Sequence, residues 1–303
     1  MEKSHRVLRS ITTEHLEPLH KLQGWNFIDA WFRCAEAHYL AWTHGIHHQD
    51  PSLDNLMYRD RRDGQSKACP LLDICPALND WDLAIDASIL AIDASAPQTH
   101  TGLERTGTMQ FMALARLQSG AWGGYRHLYR HDLEAFFYIL AWVLCCYKDG
   151  QRLDPLPPLF ETWTKGNARA CSNSNARACT NSKYRFIHEQ RWPQDSLPTD
   201  SWSSAMKVFA DIIRLFFTVM LRKLAGSPES WMQSRLDSIR ARSGGRVLPP
   251  PEEDDRPTEI WEEFCGVVQQ GLSALSDSTN LKKEDLPPRL ASFLPDSQMD
   301  MPL

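Results

Sequence analysis

The sequence predicts a mainly α-helical fold in which short β-hairpins surround one polar loop. Apolar residues recur every three or four positions in several long segments, as in helices with a buried face. The polar stretch that follows the first of these segments, at residues 47–59, lacks this period. With 303 residues, 42% of them hydrophobic, the chain can bury a sizeable core.

The first helix is predicted from Pro18 to Gly45, because apolar residues recur at helical steps and glycine is typical just after a helix end. After the polar loop, residues 78–84 (LNDWDLA) have the pattern of a strand, a turn and a second strand. We therefore expect a β-hairpin there.

A second helix is predicted over residues 127–147, where no charge occurs from Ala135 to Tyr147. Such a helix is buried on all sides, and its apolar run is too short to cross a bilayer. Residues 167–182 hold two tandem copies of one octet, NARACSNS and NARACTNS. Two short polar copies cannot form a solenoid, so we expect an inserted surface loop.

A third helix is predicted over residues 201–224, with its apolar side formed by Val208, Ile212, Leu215, Phe216, Val219 and Met220. Beyond it, we expect a proline-rich linker, a last helix from Thr258 to Leu275 and a disordered tail. The predicted organisation is an N-terminal tail (1–14), a helical lobe (15–240), a linker (241–257) and a C-terminal segment (258–303).

The composition argues against several classes of function. The net charge of -5 and the scattered Lys and Arg residues argue against nucleic-acid binding. The first ten residues lack an apolar signal region, so we expect an intracellular protein, cytoplasmic or nuclear, that does not bind membranes. Eight cysteines without CxxC pairs indicate reduced thiols. His44, His47 and His48 lack a further ligand that would make them a metal site.

The most informative motif is HHQDPSLDNLMYR at residues 47–59. His48, Asp50 and Asn55 have the H-x-D-x-x-x-x-N spacing of a phosphotransferase catalytic loop. Later features follow in the order found in protein kinases. Asp80-Trp81-Asp82 stands where the metal-binding D-F-G would be, Gly107-Thr108 and Met112-Ala113 stand in the segment that ends in A-P-E, and Asp132 opens the apolar helix.

These motifs resemble those of the fungal-specific protein kinases. The resemblance rests on GIHHQDPSLDNLMYR, LNDWDLA, RTGTMQFMAL and YRHDLEAFFYIL, and it covers about residues 15–150. It implies a protein kinase-like fold, specifically the mainly α-helical large lobe, and ATP-dependent transfer of phosphate to Ser/Thr hydroxyls of a protein substrate that the sequence does not identify.

The resemblance also implies a role for each matching residue. Asp50 would orient a substrate hydroxyl and accept its proton, while Asn55 and Asp80 would hold Mg²⁺ on the ATP phosphates. His48 would brace the loop. Ser52 takes a position that contacts phosphate in many kinases. Asp132 would tie the loop to the core.

Two departures from the usual kinase pattern argue against activity. Gln49 replaces the loop arginine that reads a phosphorylated activation segment, so we expect no control by phosphorylation there. Ala115 replaces the glutamate of A-P-E and removes a buried ion pair, which we expect to loosen the lobe at that point.

We also expect the small β lobe to be absent, because only 46 residues precede His47 and they contain no glycine-rich flap or strand lysine. Apolar surface near Leu56, Met57 and Leu78 would then be open, covered by a partner or dimer, or filled by residues 1–20. Weak or no autonomous activity follows from this expectation.

Three alternatives remain. The chain could be a pseudokinase, a truncated lobe that acts as a binding scaffold. It could be a small-molecule phosphotransferase of the aminoglycoside or choline kinase type, which shares the loop and an acidic metal motif. Or His48 and Asp50 could only cap a helix-to-loop junction, with Asp80 and Asp82 in a solvated turn.

Overall fold

The computed structural model describes residues 15–60, 74–82, 84–86, 108–118, 127–165, 173–189, 192, 197–224 and 256–295. This part of the chain is mostly helical, as predicted, with small antiparallel sheets. The helices are α1 (Gly24–Thr43), α2 (Leu114–Gln118), α3 (Tyr129–Cys146), α4 (Pro158–Thr164), α5 (Asn173–His188), α6 (Ser204–Leu224), α7 (Pro257–Ser278) and α8 (Pro288–Ala291). Short 3-10 helices cover Leu19–Lys21, Leu53–Asn55 and Lys283–Asp285.

Three small sheets lie among these helices. The strands are β1 (Glu17–Pro18), β2 (Ile46–His47), β3 (Leu56–Asp60), β4 (Ile74–Leu78), β5 (Ile85–Asp86), β6 (Tyr147–Lys148) and β7 (Gln151–Arg152). They pair in the orders β1-β3-β4, β2-β5 and β6-β7, all antiparallel.

The predicted hairpin at residues 78–84 is wrong in its pairing. Leu78 ends β4, which pairs with β3, whereas β5 pairs with β2 in another sheet. Asp80 has a positive φ of 59°, and this turn carries the chain from one sheet to the next. The result places the turn directly beside the polar loop between β2 and β3.

The first helix starts later than predicted. Residues 17–18 pair with β3, a 3-10 turn follows, and α1 begins at Gly24. Leu19 and Leu22 are buried in this turn. Their spacing of three residues resembled a helix in the sequence, but it reflects the packing of the turn. Leu56 and Leu78 are buried as well, at 0% and 8% exposure, and residues 17–21 contact β3. Of the three alternatives for this face, filling by the N-terminal residues of the same chain therefore fits the described part best.

The central helix α3 confirms the prediction for residues 127–147. All of its 18 residues are buried. It packs between α1, α6 and α7, and Trp31 of α1 donates a hydrogen bond to the carbonyl of Phe136 at 2.9 Å. Apolar burial of this extent is the main stabilising term of such a core.

The octet repeat is not a surface loop in the part that the structure describes. Its second copy, residues 175–182, lies within α5, while residues 167–172 lie outside the described part. Cys179 and Phe186 are buried, and Ser182 accepts a hydrogen bond from the indole of Trp163 at 3.0 Å. The octet is helical because its residues pack against α4.

Helix α6 has its predicted position, but its buried face is only partly the predicted one: Phe216 and Met220 are buried as predicted, whereas other members of that face are not. Val208, Leu215 and Val219 are each about half exposed, at 48%, 45% and 48%. The buried face instead includes Arg214 and Thr218, which donate hydrogen bonds to carbonyls of Glu189 and Ile187. Both faces of α6 carry apolar residues. Because Arg214 and Thr218 are polar, the sequence did not identify their side of the helix as buried.

The C-terminal segment differs from the predicted disordered tail. Helix α7 confirms the last predicted helix and packs on α6 and α1. Beyond it, α8 docks on α1: Leu290 is fully buried, its amide donates to Asp29, and Arg289 pairs with Glu36 at 2.7 Å. The predicted tail 1–14 and most of the linker, residues 241–255, lie outside the described part.

Among the cysteines that the structure describes, one departs from the prediction. Cys75 is disulfide-bonded, so the prediction of reduced thiols is wrong there. The free thiols are Cys34, Cys145, Cys146, Cys179 and Cys265. Among the described helices, none combines the length and the apolar character that a membrane span requires.

Candidate active site

The polar loop between β2 and β3 is held from behind by His48. This side chain is fully buried, and its Nε2–H donates to the carbonyl of Asn79 at 2.8 Å, while Nδ1 accepts from the amide of Asp50 at 3.3 Å. Burial lowers the pKa of His48, which keeps the ring neutral and suited to both bonds. His48 therefore joins the loop to the turn that carries Asp80.

Asp50 lies at the front of the loop, half-buried. Its Oδ1 accepts a hydrogen bond from the amide of Thr108 at 2.9 Å. Burial raises the pKa of Asp50, and this hydrogen bond opposes the shift. The negative charges of Asp132 and Asp80 also raise the pKa of Asp50.

Asn55 is brought to the same place. Its Nδ2 donates to the backbone carbonyl of Asp50 at 3.0 Å, and its own carbonyl accepts from the amide of Asn79 at 2.8 Å. The side-chain oxygen of Asn55 is then the atom left for a ligand. Ser52 is 4% exposed, and its carbonyl accepts from the amide of Asn55 at 3.1 Å.

Asp132 lies beneath the loop and confirms the predicted internal tie. Its Oδ2 accepts from the amide of Gln49 at 3.2 Å and from Nε2 of His38 at 2.8 Å, and its Oδ1 accepts from Nε2 of His127 at 2.6 Å. Burial alone would raise the pKa of Asp132, but these donors outweigh it and hold the pKa well below its usual value. The loop thus rests on an ionised, fully satisfied carboxylate.

A small cavity opens beside Asp50. Its lining includes Pro51, Thr108, Phe111, Met112, Arg116 and Ala135. Apolar side chains such as Phe111 and Met112 line it together with polar ones, among them Asp50 and Arg116. A small polar group at this cavity would lie next to Asp50.

The chain after Thr108 is anchored by residues that the sequence analysis did not identify. Glu134 accepts from the amide of Leu114 at 2.9 Å. Lys183 of α5 is fully buried and donates to the carbonyls of Met109 and Met112 at 3.2 and 2.6 Å. We expected the substitution at Ala115 to loosen this region, but these contacts hold it in place of the lost ion pair.

Two described residues could hold a divalent cation. Asn55 and Asp80 supply an amide and a carboxylate oxygen, the hard ligands that Mg²⁺ prefers, and no larger cluster of acidic, histidine and cysteine ligands occurs in the described residues. A pair of protein ligands fits Mg²⁺ well, because this ion usually keeps several waters and takes its other oxygens from bound phosphates.

Comparison with known proteins agrees with the motifs. Residues 5–144 match the model of the fungal protein kinase family. No curated protein matches the chain. The matched segment contains Asp50, Asn55, Asp80 and Asp132, and so includes the whole loop with its buried support. Residues 5–144, slightly less than half of the chain, are therefore similar to the fungal protein kinase family.

Proposed function

We propose that the described helical part acts as the large lobe of a protein kinase and transfers the γ-phosphoryl group of ATP to Ser/Thr hydroxyls of a protein. The observation that supports this most is the position of Asp50. Its carboxylate lies at a cavity, is held by the amide of Thr108, and sits on a loop fastened to Asp132. The match of residues 5–144 to the fungal protein kinase family agrees with this role.

Asp50 would accept the proton of the substrate hydroxyl. A general base works best when its pKa approaches the working pH, and burial moves the pKa of Asp50 in that direction. A hydroxyl in the adjacent cavity would come within hydrogen-bond reach of the carboxylate. His48, Asn55 and Asp132 keep the loop in one conformation, and such preorganisation is the main source of rate in phosphoryl transfer.

Mg²⁺ and ATP are the cofactors that this chemistry uses. When bound, Mg-ATP supplies the phosphoryl group and neutralises its charge. Asn55 and Asp80 would ligate the ion, and Ser52 would contact phosphate. Asp80 follows Asn79, whose backbone holds both His48 and Asn55, so the loop and the turn are positioned together.

The test is a phosphorylation assay with radiolabelled ATP on the purified chain, with Asp50→Asn as the key variant. We expect its rate to fall about 100-fold or more, because general-base catalysis contributes at least that much. Asp200→Asn is the matched control, since Asp200 is exposed and pairs only with Lys148 among the described residues. Equal rates for the wild type and Asp50→Asn would overturn the proposal.

A second candidate is a pseudokinase that binds a partner protein without transferring phosphate. Gln49 and Ala115, which replace a catalytic-loop arginine and a structural glutamate, favour this function. A partner or a second copy of the chain would then be the physiological ligand. Thermal unfolding separates the candidates, because a kinase must be stabilised by Mg-ATP, whereas a scaffold without a nucleotide site keeps the same melting temperature.

A further inference from the structure

Arg116 lies where helix α2 approaches the polar loop. Its Nη1 donates to the carbonyl of Gln49 at 3.5 Å and also contacts Nδ1 of His127. The guanidinium thus bridges three parts of the chain, namely the loop, α2 and the start of α3.

The contacts of Arg116 close a circuit around the backbone of one residue, Gln49. His127 donates from Nε2 to Asp132, and Asp132 accepts from the amide of Gln49. The N–H of Gln49 is therefore held through Asp132, and its C=O is held by Arg116. We name these three residues, Arg116, His127 and Asp132, the relay.

The backbone of Gln49 needs this support. Its φ is 70°, in the left-handed region that residues with a Cβ rarely adopt and that persists only where surrounding contacts demand it. Asp50 follows directly in the chain. A change in the backbone conformation of Gln49 would therefore redirect the carboxylate of Asp50.

The charged groups around His127 favour one protonation state of its imidazole ring. Because Nδ1 of His127 faces a guanidinium and Nε2 donates to a carboxylate, the imidazole is neutral with its hydrogen on Nε2. Burial lowers the pKa of His127 and so favours this state. The groups that face His127 are Arg116 from α2, His131 and Asp132 from α3, and His38 and Trp42 from α1.

We propose that Arg116, acting through His127 and Asp132, is a positioning residue that sets the direction of Asp50. The relay provides from α2 the cation that Gln49 does not supply from the loop, and it needs no phosphate group to do so. This inference rests on the proposed function, and its first test does not depend on activity.

The first test measures the relay itself. In the full chain with Arg116→Ala, we expect the NMR titration midpoint of His127 to move to higher pH, because a neighbouring positive charge is gone. Hydrogen exchange at the amides of Gln49 and Thr108 should become about tenfold faster. Arg185→Ala is the control, since Arg185 is exposed on α5, and it should change neither measurement. An unchanged midpoint for His127 would overturn the relay.

The second test links the relay to catalysis. With Arg116→Ala, we expect kcat to fall about tenfold or more while KM for ATP stays within about twofold, and Arg116→Lys to restore part of kcat. Treatment of the wild type with a phosphatase should leave kcat unchanged. If His127 titrates differently but kcat is unaffected, the positioning role is wrong.

These tests keep the two proposals apart. An inactive wild type with an intact titration shift contradicts the proposed function but supports the relay as a structural clamp on Asp50. If Arg116→Ala does not fold, Arg116→Gln takes its place, because it keeps the length and loses the charge.

Discussion

Asp132 shows how one buried residue determines the shape of a site on the surface. Its two oxygens accept hydrogen bonds from His38, His127 and the amide of Gln49. An unpaired carboxylate at this depth would be very costly to bury, whereas this one is stabilised in its charged form. The same three contacts join α1, α3 and the polar loop between β2 and β3.

We predict that Asp132→Asn lowers the free energy of unfolding by about 3 kcal/mol at pH 7, because hydrogen bonds to a buried charge are lost. A carboxyl whose pKa is lowered by folding stabilises the protein above its unfolded pKa, near 4, and loses this effect as the pH falls. Urea unfolding should therefore show a difference between wild type and variant that shrinks below about pH 4. A difference independent of pH would contradict this account.

At the scale of elements, α5 determines how the chain after Thr108 is held. Lys183 reaches from this helix to the carbonyls of Met109 and Met112, and its ammonium lies 4.0 Å from the ring centre of Tyr138. Burial lowers the pKa of Lys183 to about 8. The helix thus anchors the wall of the cavity beside Asp50.

Lys183 gives the protein a measurable alkaline signature. Because folding lowers its pKa from 10.5 to about 8, the unfolded chain binds more protons between these values, and stability rises with pH in that range. Relative to Lys183→Met, the wild type should gain up to about 3 kcal/mol from pH 8 to 10.5. The exposed Lys165→Met should show no such trend relative to the wild type. A flat difference for Lys183→Met would refute the prediction.

At the scale of the whole molecule, the C-terminal segment completes the core. Rings of α7 stack on α1, with Trp261 5.4 Å from Phe32 between ring centres, and α8 adds Leu290 and the pair of Arg289 with Glu36. Residues far beyond the matched family segment therefore support the helix that leads into the polar loop.

We predict that Leu290→Ala lowers the free energy of unfolding by about 3 kcal/mol, since it leaves a cavity at a fully buried site. Leu215→Ala on α6 removes the same atoms from a side chain that is 45% exposed, and its cost should stay within about 0.5 kcal/mol. Chemical denaturation measures both. Equal costs would show that α8 does not pack as described.

Local patterns in the sequence were sufficient for several conclusions. Helical periodicity located α1, α3, α6 and α7, and the order of short motifs identified the loop and the tie at Asp132. These features depend on neighbouring residues or on a helix that is apolar on all sides, so they can be recognised without knowing what packs against them.

Tertiary structure alone decided the rest. The contact of Arg116 with Gln49 spans 67 residues, and that of Lys183 with Met112 spans 71. The buried face of α6 and the docking of α8 likewise depend on partners distant in the chain. From sequence alone, a polar side chain is predicted to be exposed. Only the fold supplies the carbonyl or carboxylate partner that allows it to be buried.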